Sequence, residues 1–331
     1  MYRYTRLIQS VPFETIARRS TPPRLVPGWY MVCPGRDLRR GAILRFDLAG
    51  EPIVLFRGEA TGVVHALPGH CEHQGVDLAH GRVVGDRLRC PLHHWEYSNR
   101  CERIPGAPGP CRSIARFFTA ERFGMIFLHT SAEPRYSLPG FSVEDESLAF
   151  VAGRPVEITC PWYVPVANAF DMGHLETVHR RRLTRDPVVS YPDATTFHVR
   201  YSTAVIGTGW SDRAMRALSG NDIRVEVTCS GGAIILVESA IRSWRSYLMV
   251  CLRPTRPGVS ILPLFGVPRR GMHALHARAA ATLFTAFLRR DVQALSGIRF
   301  PAGFLDNRDA TINACYRYLC ALPESASEEN S

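Results

Sequence analysis

Between residues 25 and 135 the apolar positions come in short runs separated by Gly, Pro and Asp. Trp29–Cys33, Ala42–Asp47, Pro52–Arg57, Gly62–Ala66 and Gly124–His129 are rich in β-branched and aromatic residues and bounded by turn formers, so they predict short strands of a small sandwich or barrel. The turn-rich stretch Ser131–Gly140 reads as a linker. A short helical segment follows near Pro165–His179, then strand-like runs at Thr196–Ile206, Ile223–Cys229, Ala233–Glu238, Ser246–Leu252 and Val259–Val267. Two helical stretches close the chain, the Ala- and Leu-rich His273–Ile298 and then Asn307–Leu322. Strands grouped together with helices grouped at the end predict an α+β fold rather than alternating α/β. The implied division is an N-terminal extension (residues 1–24), a first domain (25–135), a second domain (136–322) and a disordered polar tail (323–331).

With 331 residues and 46% hydrophobic residues, the chain has enough material for one or two packed cores. No run of 18 or more apolar residues occurs, which argues against a membrane span, and Glu14 interrupts the N-terminal region where a secretory signal would need a continuous apolar stretch. The ten cysteines therefore point to a reducing compartment, the cytoplasm, where they are buried or bind metal. Net charge is +10, carried by Arg alone, since the sequence contains no Lys. That rules out a lysine Schiff base. The arginines are dispersed rather than gathered in a patch, which argues against nucleic acid and suits an acidic electron-transfer partner.

The segment CEHQGVDLAHGRVVGDRLRCPLHHW carries the first chemical signal. Cys71 and His73 form one pair, and Cys90 and His93 another after sixteen intervening residues. Two loops, each offering a thiolate and an imidazole, suit a [2Fe–2S] cluster in which both Cys hold one iron and both His the other. Gly75 and Pro91 supply the turns. The rival is a structural zinc site, but zinc fingers favour two Cys in one loop and two His on one helix, whereas each loop here mixes the two. His94 neighbours a ligand position and falls outside the spacing.

The segment VPVANAFDMGHLETVHRRR carries the second signal: Asn168, Asp171, His174 and His179. Two imidazoles and a carboxylate that leave coordination positions open describe the facial triad of non-haem Fe(II) oxygenases. Asp171 and His174 are three apart and share a helix face. His174 and His179 are five apart, about 140° around an ideal helix, so both cannot reach one ion unless the helix kinks, bulges or ends between Leu175 and Val178.

With both motifs in this order, the chain resembles the catalytic α-subunits of Rieske non-haem iron oxygenases over residues 25 to 320. The resemblance implies a Rieske antiparallel β domain followed by a helix-grip-like antiparallel sheet domain. It implies that His174 and His179 bind a mononuclear Fe(II), that Asp171 bridges to a neighbouring subunit's Rieske His in a homotrimer, and that Asn168 sits near the iron. The third ligand would come from the long helix. Asp291, in FLRRDVQAL beside Leu288, Val292 and Leu295, is preferred over Asp306 and Asp309, which read as cap and first turn of the last helix. The family usually has Arg at Gln74 and Gly at His94; Val76 and Leu92 stand where respiratory Rieske proteins have a disulfide. Lacking a strand–GxGxxG–helix unit, the chain would take electrons from NAD(P)H through a separate ferredoxin or flavin reductase. The resemblance is to the arylamine N-oxygenase, steroid hydroxylase and O-demethylase branches, which implies O2-dependent monooxygenation of a small aromatic or polycyclic substrate. A non-catalytic electron carrier and a cis-dihydroxylating dioxygenase stay open. Trp210, Leu264, Phe265, Phe284 and Phe287 are candidate pocket residues, and Gly207–Asn221 is expected to be a loop acting as a lid.

Overall fold

The computed structural model describes residues 21–98, 111–113, 117–242, 244–269, 271, 281–282, 285, 288, 291–298 and 310–324. Expectations for the extension up to residue 20 and the tail from residue 325, and for Phe284, Phe287, Asp306 and Asp309, lie outside these residues, as does the side chain of Trp210. Among the described residues no helix is long and apolar enough to cross a membrane. The chain divides into two compact units, Pro27–Leu138 with Arg253–Arg256, and Pro139–Leu252 with Pro257 onward and the segment before Pro27.

Among the described residues the first unit has ten short strands: β1 (Trp29–Pro34), β2 (Ile43–Leu48), β3 (Glu51–Arg57), β4 (Val64–Pro68), β5 (Arg82–Val84), β6 (Arg87–Arg89), β7 (Glu96–Ser98), β8 (Cys111–Ser113), β9 (Phe118–Arg122) and β10 (Met125–His129). They form three sheets, β1-β10-β9, β2-β3-β4 and β5-β6-β7-β8. The β2–β3 hairpin turns on Ala49 and Gly50, both at positive φ, the backbone twist that a two-residue hairpin needs. The third sheet, β5 to β8, escapes the hydrophobic pattern because its strands are three residues long and β5 and β6 carry Arg at Arg82, Arg87 and Arg89. Its inward residues Val83, Leu88 and Tyr97 pack with Val54, Phe56 and Leu78 around Cys71 and Cys90. Burial of this apolar set is what holds the two Cys-bearing loops on one core.

The second unit is dominated by a nine-stranded antiparallel sheet in the order β11-β19-β18-β17-β16-β15-β13, with β12 also paired to β19 and β14 to β15. Its strands are β11 (Leu148–Ala152), β12 (Val156–Ile158), β13 (Arg181–Leu183), β14 (Val188–Asp193), β15 (Thr196–Val205), β16 (Ile223–Ser230), β17 (Ile234–Ile241), β18 (Trp244–Pro254) and β19 (Val259–Pro268). In β16, Ile223, Val225 and Val227 are buried while Arg224 and Glu226 are exposed, the period of two that gives a sheet one apolar face. Along β19, Pro263 falls where the strand changes partner from β12 to β11.

Among the described residues the sheet is accompanied by α1 (Tyr163–Asn168), α2 (Met172–Thr177), α3 (Trp210–Ser219) and α4 (Ala310–Ala321). Residues 291–295 are helical as well. Helix α4 is anchored by Tyr318, which stacks on Phe197 and donates to the Thr195 carbonyl at 2.7 Å. The stretch Gly207–Asn221, expected to be a loop, instead carries α3. Its glycines are boundaries: Gly209 is the N-cap and Gly220 takes the left-handed C-cap conformation. The fold is thus α+β, with strands far outnumbering helices among the described residues.

Candidate metal centres

The first centre rests on two turns of the first unit. Cys71 N–H donates to the Val76 carbonyl and Gly75 N–H to that of Cys71, with Gly75 at φ +71°; Cys90 N–H donates to the Trp95 carbonyl. These closures aim His73 and His93 at each other, with Nδ1 atoms 3.0 Å apart. Trp95 stacks flat on His73, ring centroids 4.5 Å apart and planes 7° from parallel, which fixes the imidazole's plane. Cys71 and Cys90 are buried beneath while His73 and His93 are exposed. The buried Cys71 sulfur lies 2.9 Å from the Tyr97 hydroxyl. Burial works against the Cys71 thiolate. The Tyr97 hydroxyl and the backbone N–H groups of His73 and Gln74 outweigh it and bring the thiol below its ordinary value.

Two imidazole Nδ1 atoms in contact on one side and two sulfurs on the other suit a two-iron cluster. Among the described residues these four do not form a set of ligand atoms within 4.8 Å of one another, whereas His174, His179 and Asp291 do. A single zinc ion with bonds of about 2.0–2.3 Å would draw all four closer than that. His94 is exposed and takes no part in the pairing; at φ +58° it occupies the left-handed region that favours Gly.

The second centre lies wholly in the second unit. Asp171 is the N-cap of α2, its Oδ1 accepting from the His174 N–H at 2.9 Å. Helix α2 ends at Thr177 with Val178 as its C-cap, and Arg180 follows at φ +56°. His179 is therefore off the helix, which is how two histidines five apart come together: their Nε2 atoms are 3.0 Å apart. The segment is also broken once more than the spacing requires, between α1 and α2, where Asp171 starts a new helix. Asp291 completes the cluster, with Oδ1 2.7 Å from His174 Nε2 and 2.9 Å from His179 Nε2. Burial works against ionisation of Asp291, but its hydrogen bonds to His174 and His179 more than offset this and hold the carboxyl below the usual carboxylate range. Three bonds of about 2.1 Å at right angles put donor atoms about 3.0 Å apart, against about 3.4 Å for a tetrahedron. The 2.7–3.0 Å separations here fit three adjacent positions of a six-coordinate cation.

All three residues open onto a cavity of about 610 Å³ between the sheet and the helices of this unit. Asn168, at the end of α1, lines it, and so does Phe265, whereas Leu264 faces away. Tyr201, Thr203, Val227 and Leu248 also line it and were not singled out by any local motif. Only strand register shows which of their faces turns inward.

A Rieske [2Fe–2S] domain model matches residues 28–117. Aminopyrrolnitrin oxygenase PrnD from Pseudomonas fluorescens is 34% identical over 303 residues, covering 78% of this chain and 82% of that protein. The chain belongs to the Rieske oxygenases. Among family members, cholesterol 7-desaturase nvd of Bombyx mori is 30% identical over 178 residues, covering 52% of this chain; this chain spans only 39% of that longer protein. The fold of this Rieske oxygenase is also that of the crystal structure of dicamba monooxygenase bound to dicamba, with TM-score 0.65 and 18% identity, covering 88% of this chain and 96% of that one.

Proposed function

We propose that this Rieske oxygenase is the terminal component of a monooxygenase that uses O2 and electrons from a separate ferredoxin or flavin reductase to oxygenate a small, apolar, aromatic or polycyclic substrate. The observation that carries the reading is the His174–His179–Asp291 cluster opening onto a largely apolar cavity. In this reading Cys71, His73, Cys90 and His93 hold the [2Fe–2S] cluster, and His174, His179 and Asp291 hold Fe(II). When bound, the cluster delivers single electrons and the mononuclear iron activates dioxygen.

The chain's own residues do the rest. His174, His179 and Asp291 face the cavity together, with Asn168 on its wall, so a substrate held there would lie beside the iron they would hold. Val227, Leu248 and Phe265 exclude water and hold an apolar ring beside the site. Asp171 caps α2 through Oδ1; in this reading its other carboxylate oxygen accepts from a histidine of a neighbouring subunit in a homotrimer. The reducing cytoplasm suits the buried free thiols of this chain. The relatives support monooxygenation: one is named an oxygenase of aminopyrrolnitrin and another structure is a monooxygenase with dicamba bound.

The test is ¹⁸O2 labelling of product in the purified oxygenase with a reductase, across a panel of arylamines and fused-ring aromatics. One atom of each O2 is expected in product and the other in water; a product carrying both atoms of one O2 molecule, shown with mixed ¹⁶O2 and ¹⁸O2, would make it a dioxygenase, and His174→Ala should abolish product while leaving the visible Rieske spectrum intact. Product formation by that variant would sink the oxygenase reading.

A further inference from the structure

The cavity is apolar over most of its surface, and part of its polar lining falls in one cross-strand row. The register sets Tyr201 of β15 opposite Val225, Val225 opposite Ser239, and Ser239 opposite Ser246, and all four line the cavity. The neighbouring row on one side is Val227, Val237 and Leu248, wholly apolar. On the other side the lining passes Thr203 and Ile223 to the β17–β18 hairpin, where Trp244 is 65% exposed.

Tyr201 stands out in this row. Among the described residues nothing accepts from or donates to its hydroxyl, and burial alone, with no charge or hydrogen bond contributing, pushes the phenol above its ordinary value. It therefore stays protonated and can only be satisfied by something that enters the cavity. Tyr201 lines the cavity, so a hydroxyl with no protein partner among the described residues is open to a hydrogen bond from whatever occupies it. The space is also large: a cavity of roughly 150 Å³ suffices for benzene, and this one is about 610 Å³.

We propose that Tyr201 is the specificity-determining residue of the cavity, donating a hydrogen bond to a carbonyl or hydroxyl oxygen on an otherwise apolar, multi-ring substrate. This deepens the oxygenase reading and rests on it for the word substrate. Val227, Val237 and Leu248 take the ring system, and Tyr201 fixes which edge of it is presented to the His174–His179–Asp291 cluster. A molecule of the same shape lacking the acceptor leaves the hydroxyl unpaired and is rejected for that reason.

Two probes of nearly equal shape test this: 2-acetylnaphthalene, which has a carbonyl acceptor, and 2-isopropylnaphthalene, which has none. Their binding to the iron-loaded protein is followed by ligand fluorescence. The ketone should bind the wild type about five- to tenfold more tightly, the range of one net hydrogen bond. In Tyr201→Phe the two should agree within about twofold, with 2-isopropylnaphthalene unchanged. The melting temperature of Tyr201→Phe should not fall, since no protein partner is lost. The proposal is overturned if the wild type shows no preference or binds neither probe, if the preference survives in Tyr201→Phe, or if that variant melts lower. Binding needs no turnover, so these titrations are read independently of the ¹⁸O2 experiment that tests the oxygenase reading.

Discussion

His174 Nε2 and Asp291 Oδ1 stand 2.7 Å apart although 117 positions separate them in the chain. Asp291 meets His179 Nε2 as well, at 2.9 Å, so one carboxylate oxygen serves both imidazoles. A buried carboxylate shared by two imidazoles supplies the negative charge that a divalent cation needs there. Asp291→Asn keeps the side-chain shape and removes that charge. The expected outcome is a fall in mononuclear iron affinity of at least the 10- to 100-fold seen when a ligand's supporting partner is lost. Iron should drop from about three to about two per chain with two sulfides retained. Iron retained at about three per chain would remove Asp291 from the site.

The contact between Tyr97 and the Cys71 sulfur bears on the other centre. Adding an electron to an iron–sulfur cluster increases negative charge on its sulfurs, so a donor to sulfur favours the reduced state and raises the potential. Tyr97→Phe should lower the potential by on the order of 50 mV, one net hydrogen bond converted for a one-electron couple. A potentiometric titration followed by visible absorption measures it. An unchanged midpoint would mean that the hydroxyl does not act on the sulfur.

How much of this was legible along the chain follows from distance in sequence. Cys71, His73, Cys90 and His93 lie in two tight turns whose spacing alone brings them over one core. The helix end after Thr177 followed from the angle between His174 and His179. Asp291 could be ranked above its rivals because Leu288 and Leu295 mark an inward stripe, and both are buried. Tyr97 was invisible because its role depends on β6 and β7 folding back beside β5, all three-residue strands with no periodicity to read. Tyr201 was invisible because register across four strands decides its neighbours. The helix α3 was mistaken for a loop because Gly and Ser mark helix ends as readily as loops.

His94 offers a test of backbone strain beside the cluster. At φ +58° it occupies the left-handed region, which costs a non-Gly residue roughly 1 kcal/mol. His94→Gly removes that cost but loosens the unfolded chain, and the first effect is expected to win by a few tenths of a kcal/mol. Thermal unfolding should shift slightly upward with the Rieske spectrum unchanged. A bleached spectrum would instead make His94 a ligand and overturn the His73–His93 pairing.

His65 and His129 set the acid limit of the first unit. The Nε2 of each is buried without a hydrogen-bond partner among the described residues. Desolvation lowers both below their ordinary value of 6.5; Asp86 opposes this at His65, and the backbone at Ser131 opposes it at His129. A group whose native pKa is depressed leaves stability whole above its unfolded value. Below about pH 6.5 the unfolded chain takes up these protons first, so stability falls with each step toward the lowered native values. Melting temperature should therefore be flat from pH 8 to about 7 and decline toward pH 5. His65 stacks on Phe56 with ring centroids 5.0 Å apart, so His65→Phe preserves the packing while deleting one of the two titrations. That variant should show a shallower decline between about pH 6.5 and 5 than the wild type, followed by circular dichroism in parallel melts. Identical slopes would mean that His65 keeps its ordinary protonation in the folded protein and that the acid limit is set elsewhere.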